Sequence, residues 1–513
     1  MDRELFIDGG WRKAIAGARL EIKDPATGEH VGSSALAAAA DVDRAVAAAQ
    51  RAQRVWADTH ADERCRIMLK AADLIEARTD AIAMMLTREQ GKPLPDSVKE
   101  IGFGLRVLRY YAEEGRRIEA TMRPSSQAHL RNLAQSVPVG VVGAIVPWNY
   151  PVDIYCWKVG PALAAGCVMV VKPPHETPLA IGMIVECLAE AGLPPGVRND
   201  LPGTGEVGAS LAAHPGIRMI SATASVAAGR SIMRAAAEDM KRVSLELGGQ
   251  CPFVVLDDAD IEEAATAATR RSFSNMGQIC IAVNRILVAD SIHSKFLEAM
   301  TEATRKIKLG HGIESGVLYG PVLNESLRLR VARHIADGLA KGGKLIAGGN
   351  PPQGAEYACG FFFTPTLIDG AADDSLPMSE ETYGPLAAIR KVKDDKEALE
   401  VANALPFGLA AYVYSRDLER AWAPAERIES GAVGVNVNDI TDIHAPSHGV
   451  YPVKLDHFGI CACSFGVRIR SVSPSLPCSP DDRITSHPVE LVGSDHNPSC
   501  SRVSGSGWRD HPF

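Results

Sequence analysis

Apolar residues recur at helical spacing over residues 41–56 and 64–79, both rich in Ala. Gln90-Gly91-Lys92-Pro93 stops a further helix. Residues 137–146 form a nearly continuous apolar run, which predicts a strand buried on both faces, and Pro147-Trp148-Asn149-Tyr150-Pro151 breaks it. Helical spacing returns over 159–165, a strand pattern over 167–171, a helix over 179–191, a strand over 217–221 and a helix over 227–240. This alternation predicts a parallel sheet with helices on both faces. A second α/β stretch runs from Pro252 to about Ser430.

The chain has 513 residues, which at roughly 150 per domain allows two to four domains. A net charge of −8 leaves no basic footprint for nucleic acid. The longest apolar run, residues 159–171, is too short to span a bilayer. The first six residues are polar and acidic, unlike a signal peptide, so a cytoplasmic protein is expected. Seven of the 11 Cys are scattered singly through residues 1–446 without a C-x-x-C pair. Zinc and disulfide scaffolds are therefore not expected, and one reactive thiol is possible.

Composition changes abruptly near the end. Residues 1–446 contain 71 Ala and residues 447–513 contain one. Ser and Pro are dense there, and Pro474, Pro477 and Pro480 bar a central strand across them. The tail reads either as a disordered extension or as a coding frame that shifts near Ser447. Short strands at 450–453 and 465–469 are the alternative.

Several segments carry candidate chemistry. Cys280, flanked by Ile279 and Ile281 after Ser274-Asn275-Met276-Gly277-Gln278, is either a nucleophile or a buried core thiol. Glu246 stands in the apolar stretch Val243-Ser244-Leu245-Glu246-Leu247-Gly248-Gly249. Burial there would raise its pKa toward that of a general base, and a salt-bridged strand-end Glu is the competing reading. Asn149, in a Pro-bounded turn, can donate to an oxyanion or simply shape the turn. Lys172 at a strand end can reach a ligand in the sheet crevice or remain solvated. Gly203-Thr204-Gly205-Glu206-Val207-Gly208 matches G-x-G-x-x-G but sits late in the α/β run, so a phosphate loop and an ordinary turn both stay open.

Taken together, these segments resemble the aldehyde dehydrogenase superfamily over roughly residues 5–446. The resemblance rests on Val146-Pro147-Trp148-Asn149-Tyr150-Pro151, Val170-Val171-Lys172-Pro173, Leu245-Glu246-Leu247-Gly248-Gly249, Asn275-Met276-Gly277-Gln278-Ile279-Cys280 and Glu380-Glu381-Thr382-Tyr383-Gly384-Pro385, in the family's order. It implies an α/β fold with a Rossmann-like cofactor domain (1–120 and 139–247), an α/β catalytic domain (248–434) and a small oligomerisation unit (121–138 and 435–446). It also implies NAD or NADP as cofactor, a small-molecule aldehyde substrate, no metal, no nucleic acid or membrane partner, and a homo-dimer or homo-tetramer. By the same resemblance Cys280 is the nucleophile, Glu246 the base that activates water, and Asn149 the oxyanion donor. Lys172 binds the adenosine ribose, Glu381 the nicotinamide ribose, and Trp148 lines the cofactor channel. Val146, Pro147, His175, Gly205, Ser225, Leu247 and Tyr383 complete the cofactor contacts.

Four departures change these expectations. His175 replaces a Glu that would repel a 2′-phosphate, so NADP should be accepted, and a protonated His175 would attract it. Ala222-Thr223-Ala224-Ser225 replaces Phe-Thr-Gly-Ser at the helix start that faces the pyrophosphate. Tyr383 replaces Phe. After His444-Ala445-Pro446 the resemblance stops, so the oligomerisation unit is expected to be defective, with residues 447–513 largely disordered and not forming the strand exchanged between subunits. The competing functions are a CoA-acylating relative, which a deacylating Glu246 disfavours, and a non-catalytic or unstable truncated relative.

Overall fold

The computed structural model describes residues 1–444 and the backbone of the strand Val467–Val472. One seven-stranded sheet has the order Arg242–Leu247, Met219–Ala224, Val141–Ile145, Val168–Lys172, Arg198–Asp200, Leu5–Ile7, Gly10–Arg12. Its first five strands pair in parallel, and Asp200 opposite Phe6 begins the antiparallel edge. Chain order reverses on either side of Val141–Ile145, which creates a crevice at the carboxyl ends of the strands. All five residues of Val141–Ile145 and of Val168–Lys172 are buried, as their unbroken apolar sequences require.

The chain then passes to a second seven-stranded sheet through only Gly248, Gly249 and Gln250. This sheet has the order Lys344–Ala347, Thr366–Asp369, Leu386–Val392, Val283–Ala289, Cys251–Val255, Ala410–Tyr414, Ala432–Val435. It is parallel except at Lys344–Ala347. Helices cover both sheets, and Val, Ile, Leu and Ala side chains fill the space between the layers. The architecture is the expected pair of α/β units, the first with a Rossmann-type crossover.

The predicted helices fall at Ala39–Asp58, Ala61–Glu76, Leu179–Glu190 and Val226–Glu238. The helix Thr79–Gln90 ends on Gly91, whose φ of 95° is the left-handed cap that glycine favours. The single strand expected over 137–146 is in fact two. Arg131–Pro138 belongs to a hairpin with Ala120–Pro124, and Val141–Ile145 enters the large sheet. Gly140, at φ 117°, makes the break between them.

The tail also needs correction. Val467–Val472 pairs antiparallel with Arg131–Pro138 of the same chain, completing a three-stranded sheet, so this segment is a strand, overlapping the alternative offered at 465–469. Its sequence, Val-Arg-Ile-Arg-Ser-Val, alternates with period two and holds no Pro, which suits a strand added to an open hairpin edge. The expectation for the rest of the tail lies outside the described residues. Residues 436–442, assigned above to the same unit, run along the helix Ile261–Phe273: Asn438 donates to the Ala267 carbonyl at 2.9 Å and Arg271 reaches Asp439 at 3.1 Å.

Candidate active site

A cavity of about 1270 Å³ opens between the two sheets. Its walls include Val146, Pro147, Trp148, Asn149, Lys172, His175, Ser225, Glu246, Leu247, Cys280, Glu381 and Tyr383. The crossover sheet delivers nine of these from strand ends. Val146 to Asn149 follow Ile145, Lys172 and His175 close or follow the next strand, Ser225 follows Ala224, and Glu246 and Leu247 end the outermost strand. Gly205 is the exception. It opens the helix Gly205–Ala213 behind its Thr204 cap and is absent from the cavity wall. The motif's last glycine, Gly208, packs close to Lys172, where a Cβ would stand 3.7 Å from Lys172 Cδ.

Cys280 is partly exposed to the cavity and follows a backbone of unusual shape. Asn275, Met276 and Gly277 carry φ values of 48°, 58° and 69° in succession. Left-handed backbone at two non-glycine positions is sparsely populated, and such geometry concentrates at functional sites. Gly277 cannot change without movement, because a Cβ there would stand 2.3 Å from the Gly384 carbonyl oxygen. Gln278 clamps the same loop through its Nε2, which donates to the Asn275 carbonyl at 2.9 Å, and its Oε1, which accepts the Leu323 N–H at 2.8 Å. Burial pushes the Cys280 thiol up, and the negative charge of Glu246 adds to the effect. A thiol so placed is protonated at neutral pH, so it needs a base or a bound cofactor to become a nucleophile.

Asn149 reaches the same loop. Its Nδ2 donates to the Gln278 carbonyl at 3.0 Å and leaves a second N–H for another acceptor. Its own carbonyl oxygen accepts from Asn275 Nδ2 at 3.2 Å and from Lys92 Nζ at 2.7 Å. Glu246 lies opposite Thr223 in the sheet register, on the cavity wall. Lys158, not singled out by the sequence, lies within electrostatic reach of Glu246 and donates to Ser221 Oγ at 3.2 Å. Burial lowers its pKa to about 7, against the opposing pull of Glu246.

The cofactor side is built from strand ends and one helix start. Ser225 caps the helix Val226–Glu238, its Oγ accepting the Ala228 N–H at 3.3 Å, and the helix N-terminus opens on the cavity where it suits a phosphate. Trp148 and Tyr383 meet edge to face with ring centroids 5.6 Å apart, and Tyr383 holds a φ of 54°. Glu381 accepts the Gly249 N–H at 3.0 Å, and burial raises its pKa to about 7. Gly248 makes room for that carboxylate, since a Cβ there would stand 2.2 Å from Glu381 Oε2.

His175 differs from expectation. Burial lowers its pKa, with Glu176 opposing and Lys172 reinforcing the shift, which disfavours the charged imidazole that would attract a 2′-phosphate. Glu176 Oε2 lies 3.2 Å from His175 Nδ1, which returns a carboxylate to the neighbourhood one residue later in the chain. No group of three or more His, Cys, Asp or Glu able to hold a metal occurs among the described residues, and none of their helices is long and apolar enough to cross a membrane.

A crossover α/β sheet facing a second α/β sheet, with a cysteine loop between them, defines a two-domain α/β enzyme of Rossmann type. The aldehyde dehydrogenase family model matches residues 11–454, and the chain belongs to this family. It is similar to the glutarate-semialdehyde dehydrogenase of Pseudomonas aeruginosa, 38% identical over 87% of this chain and 92% of the relative. It is also similar to the NADP(+) succinate-semialdehyde dehydrogenase GabD of Escherichia coli, 39% identical over 87% and 92%. The 3-sulfolactaldehyde dehydrogenase of Pseudomonas putida is 39% identical over 88% and 92%. The crystal structure of succinate-semialdehyde dehydrogenase from Burkholderia pseudomallei superposes with a TM-score of 0.89 at 38% identity, over 92% of this chain and 98% of that one. The protein is an NAD(P)-dependent aldehyde dehydrogenase acting on a small-molecule aldehyde.

Proposed function

We propose that the enzyme converts its aldehyde to a carboxylate through a covalent thioester on Cys280. The observation that carries this reading is the convergence of Cys280, the Asn149 amide and Glu246 on one cavity wall, beside the strand ends of the crossover sheet. With the cofactor bound, the Cys280 thiol gives its proton to water in the cavity, the thiolate sulfur adds to the carbonyl carbon, and the carbonyl oxygen becomes an anion. The second N–H of Asn149 Nδ2 and the Cys280 backbone N–H stabilise that anion. NAD or NADP, when bound, accepts the hydride. The residues present fit it: Ser225 at a helix start for the pyrophosphate, Lys172 and His175 for the adenosine ribose, Glu381 for the nicotinamide ribose. Glu246 then takes a proton from water, the hydroxide attacks the thioester, and the Cys280 sulfur leaves as thiolate.

The substrate is proposed to carry an acidic tail. The relatives are named for glutarate and succinate semialdehydes and for 3-sulfolactaldehyde. On this chain Arg106 lines the cavity, rests on Phe103 with its Cζ 4.8 Å from the ring centroid, and has no ion-pair partner within 4 Å among the described residues. A panel of succinate semialdehyde, glutarate semialdehyde, an uncharged aldehyde of equal length and an aminoaldehyde, each with NAD and NADP, tests the reading. Higher kcat/KM for the acidic members and release of a free carboxylate support it. Preference for the uncharged or amino aldehyde sinks the substrate class, and turnover only with coenzyme A sinks the hydrolytic route.

A further inference from the structure

Lys92 and Glu100 form a buried ion pair, 1% and 0% exposed at the side chains, and Glu100 lines the cavity. A buried pair keeps its charges only when every donor and acceptor finds a partner, and here each does. Lys92 Nζ donates to Glu100 Oε2 and, at 2.7 Å, to the backbone carbonyl of Asn149, and it lies 3.9 Å from the Tyr150 ring centroid. Glu100 Oε1 accepts the N–H groups of Val152 at 2.8 Å and Asp153 at 3.3 Å, in the first turn of the helix Pro151–Ala164. The pair therefore grips the chain on both sides of Asn149: its own carbonyl, and the helix that begins two residues later.

The same turn reaches the nucleophile loop. Gln90 Oε1 accepts the Lys92 N–H at 2.9 Å, and Gln90 Nε2 donates to Asn275 Oδ1 at 3.3 Å. Asn275 Nδ2 shares the Asn149 carbonyl with Lys92. Asn149 is thus fixed from the cofactor domain by Lys92 and from the cysteine loop by Asn275 and Gln278.

We propose that Lys92 and Glu100 are positioning residues that aim the Asn149 amide at the oxyanion forming on the aldehyde bound to Cys280. The inference rests on the reading of Asn149 as the oxyanion donor. Loss of Lys92 leaves the Asn149 carbonyl held by Asn275 alone and lets the amide drift. A misplacement of about 1 Å at a reacting centre lowers the rate by about a hundredfold.

The test is a double-mutant cycle on the full chain, reading kcat, KM for aldehyde, burst rate of NAD(P)H formation and cofactor Kd. Lys92→Met should lower kcat and the burst rate about a hundredfold, with cofactor Kd unchanged. Asn149→Ala should lower both by about 10²–10³. Lys92→Met added to Asn149→Ala should cause no further loss, because the group it aims is already gone. A merely structural Lys92 would give losses that multiply, and that result overturns the proposal. Lys92→Met alone leaves Glu100 buried without a countercharge and can fail to fold. Lys92→Met/Glu100→Gln removes that charge, keeps an acceptor for Val152 and Asp153, and carries the same cycle. Full kcat in Lys92→Met/Glu100→Gln, or losses that multiply with Asn149→Ala, overturn the inference. If Asn149→Ala itself leaves kcat unchanged, the oxyanion reading fails first. If Asn149→Ala slows the enzyme and the Lys92 variants do not, only the positioning role fails.

Discussion

The backbone N–H of Gly249 donates to the Glu381 carboxylate at 3.0 Å, a bond between residues 132 apart in sequence. It joins the short link between the two sheets to the loop proposed to hold the nicotinamide ribose. Gly248 is required beside it, because any side chain there would occupy the space of the carboxylate. The two glycines and the glutamate are one device, although they stand in two separate motifs.

Cofactor affinity should therefore depend on pH through Glu381. Its pKa is raised from 4.5 to about 7, mainly by burial. Ribose hydroxyls donate best to the ionised form, so binding should release a proton below pH 7. Affinity should rise about tenfold per pH unit up to about 7 and level off above it. Calorimetry in two buffers of different ionisation enthalpy measures the proton, and Glu381→Gln should flatten the profile. The raised value also means that the folded chain holds a proton here which the unfolded chain has lost between pH 4.5 and 7, so this group's contribution to stability falls as pH rises through that window.

Cys280→Ala should abolish aldehyde oxidation and leave cofactor binding intact. Among the described residues no other cysteine lines the cavity. A residual rate above about a thousandth of the parent would show that the thiol is not the nucleophile.

Glu246→Gln should separate the half-reactions. Sulfur addition and hydride transfer proceed without a hydrolytic base, so about one equivalent of NAD(P)H should appear as a burst, followed by near arrest. Rapid-mixing absorbance at the reduced nicotinamide band reads both phases. Undiminished steady turnover would assign water activation to another group, with Lys158 first to test.

NADP should support measurable turnover, and His175→Glu should shift the ratio of kcat/KM toward NAD. The imidazole, its charged form disfavoured by burial, omits the repulsion of a carboxylate at its own position. A parent enzyme inactive with NADP would show that Glu176 alone restores the exclusion.

Gly277→Ala should destabilise the chain by about 1–3 kcal/mol and slow turnover. The new Cβ must push the Gly384 carbonyl away or flatten the left-handed run that leads to Cys280. Thermal unfolding and kcat should fall together. An unchanged kcat would show that the loop's shape does not set the thiol's position.

What the sequence made legible was what lies in local runs. Strand ends that finish in Asn149, Lys172 and Glu246 could be read from an apolar run and the residue that stops it, Ser225 came only from the family resemblance, and all four converge because parallel strands share one carboxyl edge. Gln90, Lys92 and Glu100 were legible only as a helix stop and a helix interior, because their roles come from contacts made 52 to 185 residues away. The G-x-G-x-x-G match left a phosphate loop and an ordinary turn both open, and the helix it opens keeps Gly205 off the cavity wall. The strand Val467–Val472 overlaps the alternative at 465–469, which the Ser- and Pro-rich composition around it made the second reading although its own six residues alternate cleanly.

The link of Gly248, Gly249 and Gln250 has a thermal consequence. The bonds that cross near it, from Gly249 to Glu381, Asn149 to Gln278 and Gln90 to Asn275, are the ones that shape the cavity. The catalytic cleft is thus a seam between the two sheets, and the bonds that shape it are also bonds that hold the sheets together. On heating, activity and the packing between the two sheets should disappear in one cooperative step, and a bound cofactor should raise the temperature of both by the same amount.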